Sequence, residues 1–289
     1  MSNWSGKSRG TPLGYWFFIF FMKNLGLGFT YGFLHFVVAY FFLFSWKTSA
    51  ALYNFYRKGI HKSKLQSILG IYRSYYAIGQ MLIDKVAMAS GMVDRFDLHS
   101  DGHHHIINMV KNNTGGILIS AHVGNWEVAG HLMTNYGGTI NVVMYEAEHE
   151  QIKRTVEQTT GGRRFNVIPI KDDMSHVYAI SAAILNKEIV CIHGDRFREG
   201  MRTLKHPFLG HEAQFPHGPF AIASKFDVPK CVVFGMRHGR NGYSFSATEP
   251  IFGKQKPEVL LEEFVQEVEL KVKANPEQWF NYYDFWKAS

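Results

Sequence analysis

Cysteine is scarce: 289 residues hold only two, Cys191 and Cys231, and both lie in apolar runs. That excludes a disulfide framework and reads as buried thiols in a reducing compartment. Charge is scarce too. Asp, Glu, Lys and Arg make up 19% of the chain, against a typical quarter, while 46% is hydrophobic, so the chain is globular and not disordered. A mean hydropathy of −0.14 excludes a polytopic membrane protein, although an average can conceal one apolar segment. Acids are absent from the first 83 positions, which carry nine Lys or Arg. There is no internal repeat and no low-complexity linker. No small-x-small site cleanly follows the N-terminal apolar stretch, which argues against a cleaved signal peptide.

The formal net charge of +7 therefore belongs to the N-terminal third; the other residues carry 22 bases and 24 acids. That third is also the most aromatic, with 15 of the 44 aromatics in residues 15–46. Bases flanking an uncharged aromatic stretch suit an anionic membrane surface, and they form no dense solvated patch of the kind that binds nucleic acid. The only charge in residues 13–46 is Lys23. As a helix, residues 24–46 would be about 33 Å long, enough to cross a hydrocarbon core. Gly26, Gly28 and Gly32 crowd its start, so a single span, a re-entrant hairpin and an in-plane helix all stay open. If it spans, Lys47, Arg57, Lys58, Lys62 and Lys64 after it outnumber Lys7, Arg9 and Lys23 before it, which leaves the remainder cytoplasmic. The chain divides into a membrane-anchoring segment, 1–63, and an α/β domain, 64–289.

Residues 64–90 carry Leu65, Ile68, Leu69, Tyr72, Tyr75, Tyr76, Met81 and Leu82 at helical spacing. Short β-branched runs then alternate with helical patterns. Strands are predicted at 116–120, 139–145, 166–170, 188–193 and 231–236. Helices are predicted at 126–136, 149–160, 174–186, 217–226 and 259–272. This alternation predicts a layered α/β fold, a largely parallel sheet flanked by helices, behind the N-terminal membrane-associated helical segment.

In such a sheet, ligands sit beyond the carboxyl ends of strands. The first predicted strand ends at Ser120 and runs into Ala121-His122-Val123-Gly124-Asn125-Trp126-Glu127. A histidine there needs a carboxylate to fix its tautomer and stabilise its imidazolium; Glu127, five residues on, is the candidate, and Gly124 permits the tight turn. Free amides at the N-terminus of the following helix can hold a developing oxyanion. With 15 His and 24 acids in the chain, about one such spacing arises by chance, so the position at a strand end carries the argument.

That block resembles the histidine-x4-acid signature of the lipid A biosynthesis late acyltransferases, a branch of the lysophospholipid acyltransferase superfamily. Further blocks follow in order. His193-Gly194-Asp195-Arg196-Phe197 resembles the second. Phe215-Pro216-His217-Gly218-Pro219 resembles the third, Val228-Pro229-Lys230-Cys231 the fourth, and Pro276-Glu277-Gln278-Trp279-Phe280 the closing motif. Glycerol-phosphate acyltransferases of the superfamily carry Glu where His217 stands, and the closing motif lacks the usual histidine and arginine. The resemblance implies transfer of a fatty acyl group from acyl carrier protein or coenzyme A to a hydroxyl or amine of a lipid A-like or other amphiphilic acceptor. It implies His122 as general base oriented by Glu127, with no metal or organic cofactor. Arg196 would bind phosphate on donor or acceptor, held by Asp195. Gly124, Asn125 and Gly218 would line the substrate site, and Arg163 and Arg164 would touch an anionic headgroup. The implied location is the bacterial inner membrane, with the catalytic domain facing the cytoplasm. A non-catalytic lipid-binding scaffold of the same fold, or a thioester or lyso-lipid hydrolase, are the alternatives.

Other signals are set aside. His103, His104 and His105, with His99 nearby, do not converge on one ion as consecutive residues. Gly6-Lys7-Ser8-Arg9-Gly10 matches a nucleophile-elbow pattern but no strand precedes it.

Overall fold

A seven-stranded sheet organises the computed structural model, which describes residues 12–126, 138–145, 165–171 and 173–286. The described elements run α1 (Pro12–Phe44), α2 (Trp46–Asn54), α3 (Lys64–Ala89), β1 (Asp97–Asp101), α4 (His103–Lys111), β2 (Gly116–Ser120), β3 (Ile140–Tyr145) and β4 (Asn166–Ile170). They continue with α5 (Ser175–Leu185), β5 (Ile189–His193), β6 (Thr203–Phe208), β7 (His211–Pro216), α6 (His217–Lys225), β8 (Lys230–His238), β9 (Gly242–Ala247) and α7 (Pro257–Ala274). The sheet order is β1-β9-β8-β2-β5-β3-β4, parallel throughout except between β8 and β9, while β6 and β7 form a separate hairpin.

The central strand β2 is buried along its whole length, as a strand covered on both faces must be. Its side chains alternate between two cores. Ile117 and Ile119 join Phe220 of α6 and Phe264 and Val268 of α7 on one face, and Leu118 joins Ile106 and Met109 of α4 on the other. Parallel strands with helices on both faces are the predicted architecture. The predicted boundaries of β2 and β4 are the observed ones, and those of β3, β5 and β8 differ by one or two residues. Strands β1, β6, β7 and β9 were not predicted. β1 reads Asp-Leu-His-Ser-Asp and lies exposed at the sheet edge, so it carries no apolar signal. The predicted helix at 149–160 lies outside the described residues, as does that at 126–136 beyond Trp126.

α1 bends sharply at Gly26 (φ 81°, ψ 170°), a conformation open to glycine. Phe21 stacks on Phe29 and Phe33 across the bend, with ring centroids 5.5 and 6.0 Å apart, so the two arms run back along each other. The second arm packs on α3 through Tyr31, Leu34 and Val38, which share a core with Ile71, Tyr75 and Ile83. The boundary at 63/64 falls at the start of α3, where Ser63 and Gln66 form a capping box. One core joins both sides of it. The apolar stripe read along α3 divides: Tyr75 is buried, whereas Leu65, Ile68 and Leu69 face outward.

A buried charge locks α1 to the sheet. Asp84 of α3 accepts hydrogen bonds from Tyr31, from Arg237 Nε of β8 at 2.8 Å and from the Tyr243 hydroxyl of β9 at 2.5 Å. It is fully excluded from solvent, so each donor compensates a desolvation that would otherwise unfold the site.

Candidate active site

Parallel pairing of β2 with β5 sets Ser120 opposite His193. Two residues beyond each partner stand His122 and Asp195, so the sheet register brings together two residues 73 positions apart. His122 Nδ1 lies 2.8 Å from Asp195 Oδ1, and the His122 backbone N–H donates to Asp195 Oδ2 at 2.9 Å. Asp195 is 1% exposed. Burial alone would raise its pKa, but the charge and hydrogen bond of His122, with Arg196 beside it, outweigh this and hold the carboxyl well below the usual range. An ionised carboxylate can only accept, so the proton of a neutral His122 sits on Nδ1, leaving the Nε2 lone pair as a base.

The loop after β2 is held between β8 and the closing segment. Gly124 has φ +68°, and a Cβ there would meet the Gly235 carbonyl at 2.3 Å, so only glycine fits. The Gly124 amide donates to Gln278 O at 2.9 Å, the Asn125 amide to Gly235 O at 2.6 Å, and the Phe280 amide to His122 O at 2.8 Å. Gly124 and Asn125 each have one backbone N–H, and both are taken up in holding the loop.

Arg196 is also engaged. Its Nε donates to Asn281 Oδ1 at 2.6 Å and its Nη2 to Phe280 O at 2.7 Å. The Asn281 amide in turn donates to Asp195 Oδ2 at 2.9 Å. The guanidinium thus grips the closing segment with two of its donors, and Asn281, 1% exposed, bridges Arg196 and Asp195. Asp195 meets His122 directly and Arg196 through Asn281. Gly218 lies exposed in the first turn of α6 and shares no hydrogen bond with this cluster among the described residues. Glu127, Arg163 and Arg164 lie outside the described residues.

Two features escaped the sequence reading. His193 places its ring 4.4 Å from that of His122, and burial, then the neighbouring His122, push its pKa down to about 3, so it stays neutral. Its Nδ1 is buried with no hydrogen-bond partner among the described residues. His193 also lines an apolar pocket with Ser120, Trp126, Ile140, Val142 and Cys191. The thiols of Cys191 and Cys231 are pushed up to about 12 by burial and stay protonated, in keeping with their reading as inert. The second feature, Asn281, stood next to a quoted motif, but no periodicity distinguishes a bridging amide from a surface one. The histidine run forms the first turn of α4; His103 bonds Ser100, and His105 faces Glu249 at 3.4 Å.

No curated protein matches the chain. Among solved structures, the 1-acyl-sn-glycerophosphate acyltransferase PlsC from Thermotoga maritima aligns at 12% identity over 79% of this chain and 95% of that one, with a TM-score of 0.36. Residues 66–288 match the family described as Bacterial lipid A biosynthesis acyltransferase. That match takes in β2, the His122 loop, Asp195 and the closing segment together. The chain therefore belongs to the bacterial lipid A biosynthesis acyltransferase family and is an acyltransferase.

Proposed function

We propose that the protein is a membrane-associated enzyme that moves a fatty acyl group from an acyl thioester, of acyl carrier protein or coenzyme A, to a hydroxyl or amine of a lipid A-like amphiphile. The observation that carries this reading is the His122–Asp195 pair at a strand end, beside an apolar pocket. His122 Nε2 takes the proton of the acceptor O–H as its oxygen attacks the thioester carbonyl carbon. The new C–O bond forms, the tetrahedral intermediate collapses with loss of the C–S bond, and the imidazolium returns its proton to the leaving thiolate. Asp195 holds the ring and stabilises its charged form, and Glu127 is the second carboxylate of the proposal. The pocket takes the chain next to the carbonyl, each buried CH₂ contributing about 0.8 kcal/mol. Arg163 and Arg164 are the proposed contacts for an anionic headgroup, Arg196 for a phosphate of donor or acceptor, and Gly218 for the substrate.

In this reading residues 1–63 hold the protein on the inner membrane, with the acyltransferase domain, 64–289, on the cytoplasmic side. The experiment is a transfer assay in membranes with a defined acyl thioester, reading acylated lipid and released thiol. His122→Ala is expected to lose at least about 10²-fold in turnover, the lower end of general-base assistance. Undiminished transfer would remove His122 from the mechanism, and free fatty acid without acylated lipid would turn the reading into hydrolysis.

A further inference from the structure

The apolar N-terminal helix is long and apolar enough to cross a membrane over Asn24–Phe44, but its packing points elsewhere. Twelve residues of straight helix would separate Phe21 from Phe33 by about 18 Å. Their rings lie 6.0 Å apart because the helix folds back at Gly26. A folded-back helix returns its start to the side on which it ends.

The inner face of the second arm is committed to the catalytic domain. Tyr31 bonds the buried Asp84, which is paired with Arg237 of β8, and the His35 ring stacks at 4.5 Å on Tyr76. Were this arm to cross a bilayer, the ion pair and the sheet strands carrying it would be drawn to the same depth, where charges are most costly. The outward surface of the hairpin, on both arms, has the opposite character. Phe20, Phe29, Phe36, Tyr40 and Phe44 are exposed, Phe36 by 74%. At the far end of the arm Phe42 meets Tyr72 of α3, and the apolar surface continues there as Leu65, Ile68 and Leu69, an i, i+3, i+4 stripe. Exposed Arg57, Lys58, Lys62 and Lys64 flank that stripe, with no acid before Asp84.

We propose that the α1 hairpin and the first two turns of α3 form one face that lies in a single leaflet of an anionic bilayer, with both ends of the hairpin on the catalytic side. An apolar, aromatic surface edged by bases is the chemistry of an interfacial element. The proposal rests on the membrane association given above and specifies its geometry.

The test uses the full chain bound to the outside of sealed phosphatidylglycerol/phosphatidylcholine vesicles. Ser8→Cys and Lys62→Cys are expected to react equally with a membrane-impermeant maleimide, the wild type, with Cys231 buried and Cys191 half-buried, serving as blank. Reaction of Lys62→Cys alone would demonstrate a span and overturn the proposal. In parallel, a fluorophore on Phe36→Cys or Leu69→Cys should be quenched by nitroxide-labelled lipid, whereas one on Tyr178→Cys, exposed on α5, should not. Quenching at position 36 without position 69 overturns this geometry but leaves membrane association standing. No quenching at either sinks both. Shielding of positions 36 and 69 in lipid-free buffer together with a doubled mass would assign the face to a second copy, and so also overturn it.

Discussion

Replacing Asp195 by asparagine poses a sharp question, because the side chain keeps its shape and changes only which atoms donate. Oδ2 of Asp195 accepts from two N–H groups, the His122 backbone and Asn281 Nδ2, each at 2.9 Å, and Oδ1 faces His122 Nδ1 at 2.8 Å. The substituted amide has two choices. With its NH₂ toward the two donors, three hydrogen-bearing groups crowd together and two buried donors go unsatisfied, at about 1–3 kcal/mol each. With its oxygen toward them, both of those bonds survive and the NH₂ meets His122 Nδ1. The second arrangement wins by several kcal/mol, and it forces the His122 proton onto Nε2. The ring then stays in place but no longer offers a base to the acceptor.

Turnover of Asp195→Asn should therefore fall by about 10²–10⁴-fold, the range of general-base assistance, with little change in KM. Loss of the charge-assisted bond should lower stability by only about 1.5–3 kcal/mol. The assay is acyl transfer from a defined thioester, combined with ¹⁵N chemical shifts of His122 to read the tautomer. Turnover within an order of magnitude of wild type, with the proton still on Nδ1, would refute the reasoning.

Two other expectations concern stability. Asp84→Ala strands the buried donors of Tyr31, Arg237 and Tyr243, so the midpoint of denaturant unfolding should fall by the equivalent of about 3–5 kcal/mol; an unchanged midpoint would show that the network contributes nothing. Acidification should destabilise the fold: an unfolded histidine binds a proton below about pH 6.5, whereas His193 resists until about 3, so the unfolded state holds the extra proton between those values. Each unit of acidification in that window then removes up to about 1.4 kcal/mol, and Asp195, whose pKa is lowered, adds to the loss below about pH 4. Urea unfolding between about pH 7 and 5 measures the slope, which His193→Phe should flatten; a slope of opposite sign would exclude the assignment.

The layered sheet was legible because β2, β3, β5 and β8 are built on short, mostly apolar runs with β-branched residues at their centre, the signature of strands covered on both faces. β1 was not, since its exposed edge position demands no apolar residue. In the site, His122 could be found from its place after a strand. Its observed partner could not: Asp195 reaches it through the β2–β5 register, and no local spacing encodes which strands become neighbours. The α3 stripe illustrates the converse. Helical spacing locates an apolar face but cannot say what covers it, and Leu65, Ile68 and Leu69 turn outward while Tyr75 is buried.

The bracket around His122 is assembled from the latest-made part of the described chain. Gln278 receives the Gly124 amide and exchanges two hydrogen bonds with the Arg237 backbone, Trp279 is buried against Phe55 and Phe208, and Asn281 grips Asp195. On the ribosome, His122 and Asp195 emerge long before these residues exist. A chain ending before Gln278 would carry both residues of the pair but none of the bracket that holds the loop between them, so the geometry of the pair is a property of the whole fold and not of the two strands alone.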